Sequence, residues 1–416
     1  MKQKSLKFCR YDYASYAAFT MYSMCSLAIP LTIVAMGKSL NFPLDAGGMA
    51  SGGILHAVRS IFMIIALVSC GLVAAKLGKR LTMGLSVAFF GTGILLCSLC
   101  TEYAWLFPCL VLAGLGEGVC EGIATPFIQD LHKDAPERYV NIGHSFWSIG
   151  IGCAVFIVGG LLTFGINWRI IFAIIGLLSI ASSAVFLWKE NPLAKYPESN
   201  ETSKFSEIIA KTKIIVRKKS FWICSLGMFF GAGAEFGLTF WSAAYMELTF
   251  HTGAFVSSLG TGAIALGMFF GRAYFGYIAT PSKLRYILLF CGAGTIPVTL
   301  LMAFLKPGIA PVWLTFAILF VLLFLSGIGI APYWPTMQVY GVQKLPECDS
   351  TLLYIYFSAM GIPGCGFFTW LMGFAGDRFG LRGAIAVVPC SLVIFVLVIL
   401  AECWICKNPH KSFDKI

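Results

Sequence analysis

The sequence contains few charged residues, and this low content indicates the class of protein. Only 12% of its 416 residues are Asp, Glu, Lys or Arg, about half the share usual in soluble domains, and 58% are hydrophobic. The apolar residues form runs of roughly 20 residues along the whole chain, the length of a helix that crosses a bilayer. The runs lack the alternation of barrel strands. The composition therefore predicts a polytopic all-α membrane protein.

Motifs that would indicate catalysis are also missing. The chain shows no nucleophile with a neighbouring base, no phosphate-binding loop and no metal-ligand motif. Two cysteine pairs have CxxC spacing, Cys97 with Cys100 and Cys403 with Cys406, but no His accompanies either at metal-ligand spacing. Other cysteines are scattered through apolar segments, where a free thiol behaves as a small hydrophobe. We expect neither an enzyme nor a bound metal or cofactor.

Twelve apolar runs stand between polar breaks, in two sets of six. The first set covers approximately 12–36, 48–74, 82–100, 104–131, 139–165 and 169–188. The second set covers approximately 219–249, 254–279, 284–305, 311–339, 351–376 and 382–406. The predicted divisions are a cytoplasmic tail (1–11), an N-terminal six-helix bundle (12–188), a cytoplasmic linker (189–218), a C-terminal six-helix bundle (219–406) and a second cytoplasmic tail (407–416). Part of the linker has the composition of an amphipathic helix on the membrane surface.

The positive charge of the chain is unevenly distributed. Its 30 Lys and Arg residues outnumber 19 Asp and Glu residues, and most of the basic residues fall in the tails, the linker and alternate loops. Cytoplasmic loops carry such an excess, so the pattern predicts an integral cell (plasma or inner) membrane protein with both termini cytoplasmic. Because these residues lie in separated loops, they do not indicate nucleic-acid binding. We expect a monomer in the lipid bilayer.

A weak internal repeat relates the two sets of helices. The stretch "GLVAAKLGKR" (71–80) matches "GYIATPSKLR" (276–285) at the end of the second run of each set, and Pro126 corresponds to Pro335 in the fourth. The order of the matches is the same in both sets. This favours two related bundles, the layout of transporters that rock around a central site.

Two acids interrupt the apolar part of the stretch "GEGVCEGIATPFIQDLHKDAPER" (116–138). Glu121 lies nine residues before Asp130, or ~13–14 Å along a helix, which is near the middle of a bilayer core of ~30 Å. The charged form of a carboxylate is penalised there, so Glu121 can exist protonated and suits proton coupling. Glu117 lies one turn away on the same face and is a second candidate. The alternative is a permanently protonated Glu bonded to a neighbouring helix.

Two further charged residues lie within predicted spans. Arg59 falls in the outer half of the second run, nearer in depth to Glu117 than to Glu121. It is predicted to pair with Glu117 or to bind an acidic or hydroxylated solute; packing against backbone carbonyls is the alternative. Glu235 is similarly deep in a Gly-rich segment and is predicted either to face a cavity or to support helix packing.

Several stretches carry a resemblance to a known family. "GLVAAKLGKR" looks like the loop G-x-L-a-D-r-x-G-r-k, "AGLGEGVCEGIATPF" (113–127) like A-G-L-G…E-x-x-x-N-P-F, and "NIGHSFWSIGIG" (141–152), "GAGAEFGLTFWSAAY" (231–245) and "GIGIAPYWPTM" (327–337) like segments of spans 5, 7 and 10. The chain thereby resembles the major facilitator superfamily, and within it the fucose permease (fucose:proton symporter) family. The resemblance implies a 12-transmembrane-helix fold of two pseudo-symmetric six-helix bundles.

The resemblance also implies roles for particular residues. Glu121 falls on the family acid, Thr125 replaces the family Asn, and the gating loop is represented by Gly71, Lys79 and Arg80. The sequence departs from the family at two positions. Ala75 replaces the loop Asp, and Ser26 stands where the family has an acid, four residues before Pro30. The solute and the number of coupled protons are therefore open.

Aromatic residues in the spans that line superfamily cavities complete the predicted solute site. Apolar ring faces with OH or NH edges hold polyhydroxylated ligands. The predicted solute-binding residues are Arg59, Glu235, Trp241, Tyr245, Trp147, His144, Tyr333 and Trp334, and the predicted proton carriers are Glu121 and Glu117. For His144 the alternative is a hydrogen bond to a neighbouring helix.

The sequence thus predicts a secondary active transporter that moves a small polar solute, in the first instance a sugar, together with protons by alternating access. Two alternatives stay open. One keeps the fold and transports an organic anion or works as an exporter. The other is a non-transporting membrane receptor or sensor.

Overall fold

The structure is a computed structural model that describes residues 7–132, 136–188, 195–197 and 205–405. Within these ranges the chain forms α-helices and two short 3₁₀ turns, and no strand. The predicted tails 1–11 and 407–416 and the linker 189–218 fall partly or wholly outside the described residues. The all-α fold class is confirmed.

Six helices lie in the described part of the first half of the chain. They are α1 (Arg10–Ser39), α2 (Met49–Leu77), α3 (Lys79–Cys97), α4 (Leu106–Leu131), α5 (Pro136–Thr163) and α6 (Trp168–Leu187). Helix α6 begins at an Asn cap, since the side chain of Asn167 accepts a hydrogen bond from the backbone N–H of Arg169 at 2.9 Å. Pro30 and Pro126 lie inside α1 and α4, as helix bundles in membranes tolerate.

Seven helices follow among the residues described in the second half. They are α7 (Phe205–Val216), α8 (Lys219–Phe250), α9 (Ala254–Ile278), α10 (Leu284–Phe304), α11 (Val312–Ile330), α12 (Pro335–Gln343) and α13 (Ser350–Ile405). Helix α7 lies within the predicted linker, for part of which the sequence predicts an amphipathic helix without saying which part. Helices α11 and α12 replace one predicted continuous span, because Pro335 opens a new helix after a turn.

Eleven segments of the described chain are long and apolar enough to cross a membrane. The last of them, Ser350–Glu402, has 53 residues, or ~80 Å of helix, which is more than twice the bilayer core. Its helix is interrupted at Gly380, whose φ of 72° lies in the left-handed region open to glycine. The segment therefore provides two crossings, and the twelve predicted crossings are confirmed.

The described residues form two compact units. Unit 1 comprises those of Met1–Thr202 and Ser242–Gly262, and unit 2 those of Ser203–Trp241 and Ala263–Ile416. In unit 1, α2 packs on α4, α3 on both α4 and α6, and α1 on α5. In unit 2, α10 packs on α13 and on α11. The predicted domain boundaries stay predictions.

Glycines set the close approach of α2 to α4, the helices that carry Arg59 and the two acids. A Cβ atom on Gly114 would fall on the carbonyl oxygen of Arg59, and one on Gly118 would fall on that of Met63. Two glycines four residues apart lie on one helix face and let two backbones come together. The local sequence therefore builds the contact that brings Arg59 beside Glu117.

Replacing Gly118 by Ala should destabilise unit 1 by about 1–3 kcal/mol, because the added methyl group forces the two backbones apart. The matched control is Gly152→Ala in α5, where nothing lies within 4 Å of the new atom. That control should be neutral or slightly stabilising, since Ala is the better helix former. Thermal unfolding of both variants in detergent measures the difference; equal melting temperatures would contradict the close approach.

Candidate functional site

A buried ion pair joins α2 to α4 in unit 1. Arg59 donates from Nε to Glu117 Oε2 at 2.6 Å and from Nη2 to Glu117 Oε1, so the contact is bidentate. Neither side chain has exposed surface. Arg59 Nη1 also points at the backbone oxygen of Ser26 on α1, at 3.5 Å. Two opposite charges thus cancel inside the helix bundle and hold three helices together.

Glu121 lies one turn further along α4, in a different environment. It is partly exposed, and its Oε2 accepts a long hydrogen bond, 3.5 Å, from the Tyr22 hydroxyl on α1. Among the described residues no cation forms an ion pair with it. The two acids four residues apart are therefore unlike: Glu117 is paired with Arg59, whereas the Glu121 carboxyl has no cation partner among the described residues.

Two of the predicted site residues on α5 contact neighbours of this carboxylate. The Trp147 ring packs against the ring of Tyr22 with centroids 4.5 Å apart. The His144 Nε2 shares a hydrogen bond of 3.0 Å with Thr125 Oγ1, one turn beyond Glu121 on α4. Residues of α1, α4 and α5 thus assemble into one polar and aromatic group, which we call the Glu121 cluster: Tyr22, Glu121, Thr125, His144 and Trp147.

Tyr22 was missed by sequence reasoning, although a signal for it exists. It precedes Ser26 by one helical turn, so the two residues lie on one face of α1. Ser26 is the position where the fucose permease family has its second acid. A search of the same face one turn before Ser26 would have found the Tyr22 hydroxyl as a candidate partner of Glu121.

The predicted gating loop is held by the ends of α4 and α6. Lys79 Nζ pairs with Asp130 Oδ2 at 2.6 Å, and Arg80 Nη1 donates to the backbone oxygen of Trp188 at 3.1 Å. Asp130 therefore supplies a carboxylate to a loop in which Ala75 replaces the usual Asp. At Gly71 an added Cβ would meet nothing within 4 Å, so packing does not require glycine there.

Unit 2 contains a second intramembrane acid with a cation partner. Arg272 Nη2 on α9 donates to Glu235 Oε1 on α8 at 2.9 Å. Arg272 Nε lies 3.4 Å from the backbone oxygen of Ala331. Glu235 Oε2 is buried and accepts no hydrogen bond from the described residues. Sequence reasoning missed Arg272 as the partner, because the pairing depends on how α8 and α9 are rotated against each other.

Three of the predicted solute-binding rings are enclosed by protein. Trp241, Tyr245 and Tyr333 are fully buried. The Trp241 Nε1 donates to the backbone oxygen of Thr369 on α13 at 2.9 Å, and the Tyr333 hydroxyl donates to that of Cys291 on α10 at 3.2 Å. The polar edges of Trp241 and Tyr333 thus bond to the backbone of neighbouring helices. The solute contacts of all three rings stay predictions.

Trp334 keeps some exposed surface and packs beside Gly361 on α13. It remains a predicted contact for a solute. In the described part of the chain, no group of three or more His, Cys, Asp or Glu residues is placed to hold a metal ion.

Comparison with known proteins identifies the family. Residues 14–365 match the sequence model of the Major Facilitator Superfamily. The chain belongs to this superfamily. Membership places it among membrane transporters rather than enzymes, and it agrees with the fucose permease resemblance seen in the motifs.

Curated relatives of this superfamily member match it over part of their length. Protein spinster of Drosophila melanogaster is 22% identical over 202 residues, which cover 48% of this chain and 33% of spinster. The 3-(3-hydroxy-phenyl)propionate transporter of Escherichia coli (strain K12) is 32% identical over 165 residues, covering 36% of this chain and 39% of that protein. The matched region thus spans about a third to two fifths of these relatives.

Solved structures with the same fold cover nearly the whole chain. A bacterial homolog of the human lysosomal transporter Spinster superimposes with a TM-score of 0.73 at 16% identity, over 97% of this chain and 100% of that one. The E. coli fucose:proton symporter gives a TM-score of 0.65 at 16% identity, over 94% and 98%. At these identities the likeness establishes the fold.

Proposed function

We propose that this superfamily member is a secondary active transporter that moves a small polar solute, in the first instance a sugar, by proton symport with alternating access. The observation that carries the proposal is the contrast between Glu117 and Glu121. Arg59 pairs with the first acid bidentately, and the one partner of the second within the described part of the chain is a hydroxyl 3.5 Å away. Of the two predicted proton carriers, we retain Glu121.

The environment of Glu121 suits a group that changes its protonation state. An ionised carboxylate without a cation is costly near the middle of a bilayer, so the neutral form is favoured unless water reaches the site. Its partial exposure provides a route for a proton. Glu121 then takes up a proton from the more acidic side and releases it when the site opens to the other side. Glu117 stays ionised in both steps, because Arg59 stays with it.

The Arg59–Glu117 ion pair favours a solute without negative charge. Arg59 and Glu117 have no exposed side-chain surface, so Arg59 offers no free positive charge to an anion. The Glu121 cluster instead presents a hydroxyl, an imidazole and an indole, groups that hold a polyhydroxylated neutral molecule. Structures of the same fold include a fucose:proton symporter and a D-xylose–proton symporter, which agrees with a sugar.

An organic anion is the second candidate, and two observations favour it. The E. coli relative with 32% identity is named as a transporter of 3-(3-hydroxy-phenyl)propionate, a carboxylate. In unit 2, the Arg272 side chain is 31% exposed and contacts only one oxygen of Glu235. A solute carboxylate could replace that single contact.

The proposed transporter lies in the cell membrane as a monomer with both termini in the cytoplasm. Its gating loop contains Gly71, Lys79 and Arg80.

Uptake by purified protein in proteoliposomes tests the proposal. Radiolabelled sugars and aromatic or aliphatic carboxylates are offered with the outside at pH 6 and the inside at pH 7.5, then with equal pH on both sides. We expect a sugar to accumulate only under the gradient and a protonophore to abolish the accumulation. Gradient-driven uptake of carboxylates alone would favour the second candidate, and uptake unaffected by pH or protonophore would contradict proton symport.

A further inference from the structure

Three thiols meet where α3 ends and α4 begins, away from the Glu121 cluster. Cys97 is the last residue of α3, Cys100 follows in the connecting segment, and Cys109 lies in the first turn of α4. The Sγ atoms of Cys100 and Cys109 are 3.7 Å apart. The thiol of Cys97 lies near that of Cys109 as well. All three are free thiols.

Packed backbone on both sides holds these thiols together. A Cβ on Gly93 of α3 would meet the backbone N of Ala113 and the backbone oxygen of Cys109 on α4, so the two helices are in close contact at this level. The Arg169 guanidinium on α6 donates to the backbone oxygen of Cys100 at 2.8 Å and fixes the connecting segment. The approach of the sulfurs is thus a property of the helix packing in unit 1.

We propose that Cys100 and Cys109 form an oxidisable pair, a modification site that takes a disulfide oxidant. Closing the bond requires the two sulfurs to approach by about 1.7 Å, a movement that side-chain rotation can supply. The step is thiol–disulfide exchange. One cysteine thiolate attacks the oxidant R–S–S–R and releases R–S⁻; the second thiolate then attacks the mixed disulfide and releases another R–S⁻. The two released R–S⁻ take up the two protons that the cysteine thiols lost. The net products are one Cys100–Cys109 disulfide and two R–SH.

The predicted orientation places this connection on the side of the membrane opposite the cytoplasm. Disulfides form and persist on that side. Cys97, whose thiol lies near that of Cys109, is the competing partner and provides a route by which the bond can be exchanged.

The disulfide joins the α3–α4 connecting segment to α4 within one unit and does not restrain movement of one unit against another. Cys97, Cys100 and Cys109 all belong to unit 1, and α3 and α4 already pack closely there. Oxidation should therefore raise the melting temperature by about 5 °C, as expected for closing a short loop, and leave the transport rate unchanged. The inference does not rest on the identity of the solute or on proton coupling.

Mass spectrometry of the full-length protein tests the pair directly. The purified protein in detergent is incubated with oxidised glutathione, its remaining thiols are alkylated, and it is cleaved after Glu102, which separates Cys97 and Cys100 from Cys109. We expect the two fragments to stay joined until a reductant is added. Cys97→Ser should preserve the joined product, whereas Cys100→Ser should remove it or divert it to Cys97.

The control is Cys390→Ser, which removes an exposed cysteine of unit 2 and should change neither the joined product nor its yield. Alkylation of both Cys100 and Cys109 at every glutathione ratio would overturn the proposal. Glutathione attached to Cys100 without a joined fragment would also overturn it. Loss of transport on oxidation, with the fragments joined, would contradict the inference that the bond stays within a rigid unit.

Discussion

Arg59→Met should destabilise the protein by about 3–5 kcal/mol, because it leaves the Glu117 carboxylate buried without a partner. Both side chains have no exposed surface, so water cannot compensate the loss. Glu117 would then have to take up a proton to remain inside the bundle. For a unit of this size the loss corresponds to a fall in melting temperature of roughly 10 °C or more, measured by thermal unfolding in detergent.

A double variant and a surface pair serve as controls for Arg59→Met. The variant with both Arg59→Met and Glu117→Leu replaces the charges by apolar groups and should recover most of the stability, because neither charge is then left alone. Lys211→Met breaks an exposed pair with Asp349, whose atoms are 2.8 Å apart, and should have little effect. If Arg59→Met unfolds at the same temperature as the wild type, the ion pair does not hold α2 and α4 together.

Glu121→Gln should abolish accumulation of solute against its gradient while leaving exchange of internal for external solute intact. The amide has nearly the shape of the protonated acid but cannot release a proton. The loaded carrier can therefore still change its orientation, but it can no longer couple this step to protons. We expect accumulation ratios in proteoliposomes to fall to about one, with counterflow within about two-fold of wild type.

Tyr22→Phe is the matched control for this prediction. It removes the hydroxyl that lies 3.5 Å from Glu121 and keeps the carboxylate and the ring contact with Trp147. Because the long hydrogen bond is weak, accumulation should persist. Undiminished accumulation by Glu121→Gln would remove this residue from the mechanism, and equal loss in both variants would point to a structural role for the contact.

The fold was predictable from the sequence because its signals are local. Length and hydropathy of a segment decide whether it crosses a bilayer, and Gly380 falls in the short polar break predicted between the last two spans. The break after Ile330 was not predicted. The proline that opens α12 at Pro335 is visible in the sequence, but proline within a membrane helix is compatible with both a kink and a new start.

The candidate site was predictable only in part, because partners depend on helix rotation. Counting residues from the polar ends placed Arg59 near the depth of Glu117, and the structure pairs them. The same counting does not tell which neighbour a side chain faces, so Arg272 was missed as the partner of Glu235. A helix that is apolar all round has no face that marks a cavity.

The movement of protons that accompanies solute entry tests the central claim most directly. Proteoliposomes with a trapped pH-sensitive dye start at equal pH on both sides, and the solute identified by uptake is added outside. Wild-type protein should acidify the interior as solute enters, and Glu121→Gln should admit solute to the level of equilibrium without any acidification. Equal acidification by both proteins would contradict the assignment of Glu121 as the proton carrier, and solute entry without acidification by the wild type would contradict proton symport itself.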